Sequence, residues 1–200
     1  EPLKDLGTFG LSIPEKFGGL KPDDREDLIT MVIVTEELSA GSLGAAGSLI
    51  TRPEIIARAL LEGGTEQQKN KWLGKIASGE TLCAVSVTEA NAGSDVASVS
   101  LSASKTEGGY ILNGSKLWCT FAGAANVILV LARTDKTEKS HKGLSLFMVE
   151  KPSSESDEFE FSQDSGGRMT GKAIKTLGYR GMHSFEMSYT DFFVPEENLI

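Results

Sequence analysis

Residues 65–88 read TEQQKNKWLGKIASGETLCAVSVT, and the fold turns on a change of period inside them. The first half is helical. Thr65 and Gln68 have the spacing of a capping box, in which each side chain satisfies the other's backbone N–H. Trp72, Leu73 and Ile76 then share one helical face, and Ser78-Gly79 predicts the stop. From about residue 81 the pattern is that of strands, beginning with Val85-Ser86-Val87-Thr88.

Upstream of this switch the chain reads as helices. Asp23 and Glu26, after Pro22, resemble a capped start for DLITMVIVTEEL, which is apolar on more than one face and so predicts a buried helix. In SLITRPEIIARALLEGG (48–64), Thr51, Pro53 and Glu54 mark a start and Gly63-Gly64 a stop. One kinked helix or two short ones fit residues 45–62. Downstream, ASVSLSAS (97–104) alternates strictly, with Ala97, Val99, Leu101 and Ala103 on one side. GYILNGSKLW (109–118) predicts a hairpin turning at Asn113-Gly114. NVILVLAR, GLSLFMVE and SFEMSYTDFFV follow as strands, and the acidic SSESDEFEFSQDSGG (153–167) as a long hairpin or surface loop. Helices followed by strands, without alternation, give an α+β class: an N-terminal helical domain over 1–80, then an antiparallel β-sandwich or barrel domain over 81–200.

Composition removes several function classes. Lys and Arg number 20 against 28 Asp and Glu, a net charge of −8, which disfavours binding to nucleic-acid backbones. No apolar run reaches the length of a membrane span. Cys83 and Cys119 form neither a C-x-x-C pair nor a disulfide framework, and they read as buried small hydrophobes in a reducing, intracellular compartment. His141 and His183 stand apart, so no metal site is expected. The first ten residues resemble neither a signal nor a transit peptide, and the abrupt ends suggest a fragment truncated at its start.

Chemistry concentrates in AVSVTEANAGSDVAS (84–98), a strand that breaks into small and polar residues. By itself that is a Ser/Gly/Asp turn. Together with other stretches it resembles the acyl-CoA dehydrogenase family. Val87, Thr88, Glu89, Ala92, Gly93, Ser94, Asp95 and Ser98 match that family's signature in place, and Ser86 departs from it where Gly, Ala or Cys is usual. LSIPEKFGGL (11–20), GTEQQKNKWLGKIASGE (64–80), LNGSKLWCTFAGAANVILVLART (112–134) and LGYRGMHSFEMSYTDFFVPEENLI (177–200) resemble further family motifs, with Cys119 standing where Ile is usual.

The resemblance implies an FAD-dependent enzyme that removes hydrogen from the α and β carbons of an acyl-CoA. Val85, Ser86, Val87, Thr88, Gly93, Ser94, Trp118, Cys119 and Thr120 would form the cofactor wall. Thr88 would hydrogen-bond the pyrimidine side of the flavin, Trp118 would cover a ring face and Thr120 would reach toward N5. Cys119 would point to the opposite face of its strand, as packing. Ser94 and Lys142 would contact the acyl-CoA, and Gly93 would let backbone come close. Glu89 is read as a structural carboxylate at the strand end, and Arg180 is given no chemistry. The catalytic base, a glutamate, is expected in a helical C-terminal domain outside this chain, so the fragment alone is expected to be inactive. The resemblance further implies electron-transferring flavoprotein as acceptor, a homo-oligomer (dimer or tetramer) at full length, a place in fatty-acid metabolism, and a cytoplasmic or mitochondrial-matrix location according to source. An acyl-CoA oxidase or flavin monooxygenase of the same superfamily is the alternative, and a non-catalytic thioester-binding scaffold subunit is the alternative of another class.

Overall fold

A computed structural model of the chain describes residues 2–44, 50–179 and 181–200. Its helices are α1 (Pro2–Asp5), α2 (Leu28–Ser42), α3 (Thr51–Gly63) and α4 (Glu66–Ala77). The strands are β1 (Cys83–Ser86), β2 (Ser102–Thr106), β3 (Gly109–Thr120), β4 (Val127–Arg133), β5 (Leu144–Glu150), β6 (Glu158–Ser162), β7 (Arg168–Ala173) and β8 (Ser184–Pro195). Two compact units result: Glu1–Cys83 with Thr176–Met182, and Ala84–Lys175 with His183–Ile200.

In the first unit α4 forms as its sequence dictates. The Thr65 hydroxyl accepts from Gln68 N (3.2 Å), and Gln68 Oε1 accepts from Thr65 N (2.8 Å). Trp72, Leu73 and Ile76 are buried, together with Ile56, Ala57 and Leu60 of α3. Helix α3 is continuous from Thr51; residues 45–49, the start of the stretch expected to form one kinked helix or two short ones, lie outside the described residues, as does Arg180. Helix α2 differs from expectation twice. Its cap is Asp27, whose carboxylate accepts from Thr30 N (3.0 Å) and Thr30 Oγ1 (2.7 Å), because Asp23 is engaged by Lys16 N instead. None of its described residues is buried, and Leu28, Ile29, Val32 and Ile33 are each more than half exposed. A helix apolar all round signals burial only where something covers it.

The second unit is a mixed, curled eight-stranded half-barrel in the order β1-β4-β2-β3-β8-β7-β6, with β5 on β4. Its described registers are antiparallel except for the parallel bridge between β2 and β4 at Ser102 and Arg133. Leu112, Ile128, Val130, Phe147, Met169, Met187 and Phe192 fill the core.

Two local expectations are corrected. The hairpin between β2 and β3 turns at Glu107-Gly108, with Gly108 at φ +73°, and β3 runs straight through Asn113-Gly114. There the Asn113 side chain bonds Asp191 across a bulge in β8, accepting from its N–H (2.9 Å) and donating to its carboxylate (3.0 Å). Gly114 is required within the strand: its φ is +138°, and a Cβ on it would lie 3.0 Å from Leu101 Cα. The alternating stretch 97–104 buries Val99, Leu101 and Ala103 as expected, yet it is a strand only from Ser102. The N–H groups of Ser100 and Leu101 are taken by the Glu89 carboxylate rather than by a ladder.

Candidate functional site

The end of β1 and a bulge in β3 are brought together. Lys116 pairs with Met187 of β8 and Cys119 with Phe185, so three steps on β3 oppose two on β8. The extra residue bends the strand. Trp118 takes it up in the left-handed region, at φ +59°, and Phe121 follows at +69°. Bulky residues adopt that conformation at a cost of about 1–2 kcal/mol, so the surrounding bonds must impose it. Leu117 N donates to Thr88 O (2.8 Å), and Lys116 Nζ donates to Val87 O (2.8 Å). The consequence is an indole that stands 54% exposed on an otherwise well-packed strand.

Beneath the bulge is an ion pair. Lys116 Nζ lies 2.9 Å from Glu89 Oε1, with the lysine fully buried and the glutamate 8% exposed. Glu89 also accepts from Leu101 N (2.8 Å), Ser100 N (2.9 Å) and Ser100 Oγ (2.6 Å). Burial opposes its ionisation, but the bonds from Ser100, Leu101 and Lys116 hold its carboxyl below the usual carboxylate range. Burial likewise draws the Lys116 ammonium below its ordinary value, against the pull of Glu89. With four donors on two oxygens, Glu89 is a junction between β1, β2 and β3 and has no free lone pair aimed outward.

The other sequence-selected residues divide by exposure. Val85, Val87 and Thr88 are half-buried, and the Thr88 hydroxyl has no protein partner among the described residues. Thr120 is half-buried with its hydroxyl 2.8 Å from Ser184 Oγ. Ser86 and Cys119 are fully buried, and their side chains touch each other (Oγ to Sγ, 3.2 Å). Only their backbone groups can therefore serve a ligand on the Trp118 side. Burial pushes the Cys119 thiol up to about 11 and that of Cys83 up to about 12, so neither is a nucleophile.

Gly93 and Ser94 are exposed, following a tight turn in which Glu89 and Ala92 exchange backbone bonds (2.9 and 3.2 Å). A Cβ on Gly93 would meet no atom of the chain within 4 Å, so its smallness is not demanded by the fold. Further along this loop, Arg133 ties the carbonyls of Ala97 and Val99 to those of Glu138 and Ser140. The cavity so formed, about 350 Å³, is lined by Ser98, Ser100, Ser102, Lys136 and Lys139 among others. Lys142 is exposed on the neighbouring turn but does not line it.

Lys116 and Arg133 are the residues that sequence reasoning missed. A signal existed for Lys116: it shares the inward parity of Tyr110 and Leu112, and an inward cation needs a carboxylate. Arg133 gave none, since its partners are backbone carbonyls.

Residues 84–192 match the family model "Acyl-CoA dehydrogenase, middle domain", and residues 1–80 match "Acyl-CoA dehydrogenase, N-terminal domain". The chain belongs to the acyl-CoA dehydrogenase family. It is 44% identical to (2S)-methylsuccinyl-CoA dehydrogenase of Cereibacter sphaeroides, over 100% of this chain and 35% of that protein. It is 36% identical to the mitochondrial isovaleryl-CoA dehydrogenase of Solanum tuberosum, over 98% of this chain and 44% of that protein. Among solved structures, a glutaryl-coenzyme A dehydrogenase in complex with glutaryl-CoA superposes with a TM-score of 0.81 at 30% identity, covering 100% of this chain and 47% of that one. The chain thus spans less than half the length of these acyl-CoA dehydrogenases. No described helix is long and apolar enough to cross a membrane, and no metal-binding cluster occurs among the described residues.

Proposed function

We propose that this chain is the N-terminal and middle part of an FAD-dependent acyl-CoA dehydrogenase that removes hydrogen from the α and β carbons of a short acyl-CoA thioester. The observation that carries the reading is the exposed, left-handed Trp118, held by bonds from its two preceding residues to the Val87 and Thr88 carbonyls just after β1. A fold has no use for 54% of an indole in solvent, and a planar aromatic ligand does. The residues present fit a flavin: an open aromatic face, a free hydroxyl on Thr88, and a Thr120 hydroxyl with capacity beyond its Ser184 bond.

When bound, the flavin supplies the hydride acceptor. The chain's own residues fix where that acceptor sits. Trp118 would cover one ring face, and Thr88 would donate to the pyrimidine edge, where a fixed donor stabilises negative charge. Thr120 would orient the ring by its remaining lone pair or proton, and Gly93-Ser94 would offer an uncrowded shelf for the thioester's pantetheine. Glu89 does not serve as base, because its oxygens are occupied by four donors. A base glutamate from the rest of a full-length enzyme completes the reaction, with electron-transferring flavoprotein as acceptor and a homo-oligomer as the working form.

The relatives named above act, by their names, on methylsuccinyl, isovaleryl and glutaryl thioesters, so short branched and dicarboxylic acyl-CoAs are the first substrates to try. The test is to purify the full-length protein, record its visible spectrum, and add these thioesters anaerobically. Bleaching of a bound flavin by one of them, with turnover through an artificial acceptor, is the expected result. A colourless protein that takes up no FAD would overturn the reading in favour of a scaffold, and steady peroxide formation in air would favour an oxidase.

A further inference from the structure

The core side of the Trp118 bulge carries a second fastening besides Lys116. Cys119 Sγ lies 3.8 Å from Leu117 O and 3.2 Å from Ser86 Oγ. Either atom of the Ser86–Cys119 contact can be the donor, and the thiol has the Leu117 carbonyl as a second acceptor. The Tyr189 hydroxyl is buried beside Ser86 and Cys119 without a hydrogen-bond partner among the described residues. These groups sit inside an otherwise apolar core, where an unmatched polar atom is costly and a matched chain is directional.

We propose that Ser86 and Cys119 are positioning residues: a hydroxyl–thiol link from β1 to β3 that fixes the bulge from beneath, and with it the orientation of the Trp118 indole. The ends of the strained segment are then both fixed, by Lys116 on the Glu89 carboxylate before it and by Cys119 on Ser86 after it. Neither side chain touches the ring-facing surface, so their influence on a ligand passes through Trp118. The proposal that Trp118 is held this way stands on geometry alone; its effect on FAD rests on the function proposed above.

The full-length protein labelled with 5-fluorotryptophan gives a fluorine resonance for Trp118, assigned by its loss in Trp118→Phe. Cys119→Ala and Ser86→Ala are each expected to shift or broaden that resonance. The double variant should add little, because both changes cut the same link. Cys119→Ser, which keeps a donor and an acceptor, should leave the resonance near its original position. FAD affinity should fall by about tenfold in each alanine variant, the size of one hydrogen bond, and by about tenfold rather than a hundredfold in the double. A Trp118 resonance unmoved by either alanine change, or effects that multiply in the double variant, would overturn the proposal. If the protein binds no FAD, the fluorine cycle still decides the link while the flavin reading fails separately. Should Cys119→Ala not fold, the contrast between Ser86→Ala, which must move the resonance, and Cys119→Ser, which must not, decides it.

Discussion

Lys116 and Lys151 are both buried in the second unit, at 0% and 5% exposure, but they are accommodated in different ways. Lys116 faces the Glu89 carboxylate at 2.9 Å. Lys151 has no ion pair among the described residues: it donates to Gly123 O (2.6 Å) and Pro152 O (2.8 Å) and lies 4.5 Å from the centre of the Phe159 ring. The first arrangement joins three strands and cannot lose one charge without stranding the other. The second holds the loop after Thr120 through neutral dipoles and leaves the ammonium free to titrate. Burial lowers its pKa to about 8, with no carboxylate to counter it.

The largest test of this contrast is Glu89→Ala. It strands a fully buried ammonium and removes the acceptor of the Ser100 and Leu101 N–H groups, so about 3–5 kcal/mol of stability should be lost. Lys116→Met should cost less, about 2 kcal/mol, since Glu89 keeps three neutral donors. Denaturant unfolding of both variants checks the order, and a reversed order would refute the clamp. The pair also sets an acid limb. Because the folded Glu89 pKa lies below its ordinary 4.5, its contribution is complete above that value and is lost as pH falls through the folded one. Unfolding midpoints of Glu89→Gln should therefore decline less steeply in acid than those of the unaltered protein.

The contrast also explains what could be read from the sequence. Thr65, Gln68, Trp72 and Ile76 specify α4 because a capping box and a helical face are local devices, and they formed as spaced. The family's motifs carried Val87, Thr88, Trp118 and Thr120 to one end of β1 and one bulge of β3. What escaped was non-local. Asn113-Gly114 has the chemistry of a hairpin, yet a pairing with Asp191, 78 residues away, uses it within a strand. Glu89 takes the N–H groups that would have begun β2 at Ser100. Helix α2 shows an apolar surface whose cover no local pattern can name.

A smaller effect follows pH: burial lowers both lysines, but Glu89 opposes the shift at Lys116 and no carboxylate opposes it at Lys151. Lys151 has a folded pKa below its ordinary 10.5, so the native state binds fewer protons than the unfolded chain between about 8 and 10.5. Its contribution to stability is complete above 10.5 and is lost as pH falls through 8. Thermal midpoints should therefore rise, from this residue's contribution, on going from pH 7 to pH 10. Lys151→Met should remove that gain while the acid limb set by Glu89 persists. An unchanged alkaline profile in Lys151→Met would show that the carbonyls of Gly123 and Pro152 accommodate the ammonium without a carboxylate.

The smallest stability effect is expected where the effect on function is greatest. Trp118 leaves 54% of its surface in solvent and sits at φ +59°. Trp118→Gly gives up modest packing and relieves a conformation that glycine adopts freely, although it loosens the unfolded chain. These terms oppose each other, and the unfolding midpoint without ligand should move by less than about 1 kcal/mol. FAD retention by the full-length variant should nonetheless drop sharply, because the ring-covering face is gone. A large loss of stability would instead make Trp118 a core residue like Lys116's neighbours, and the case for an aromatic ligand would lose the observation it stands on.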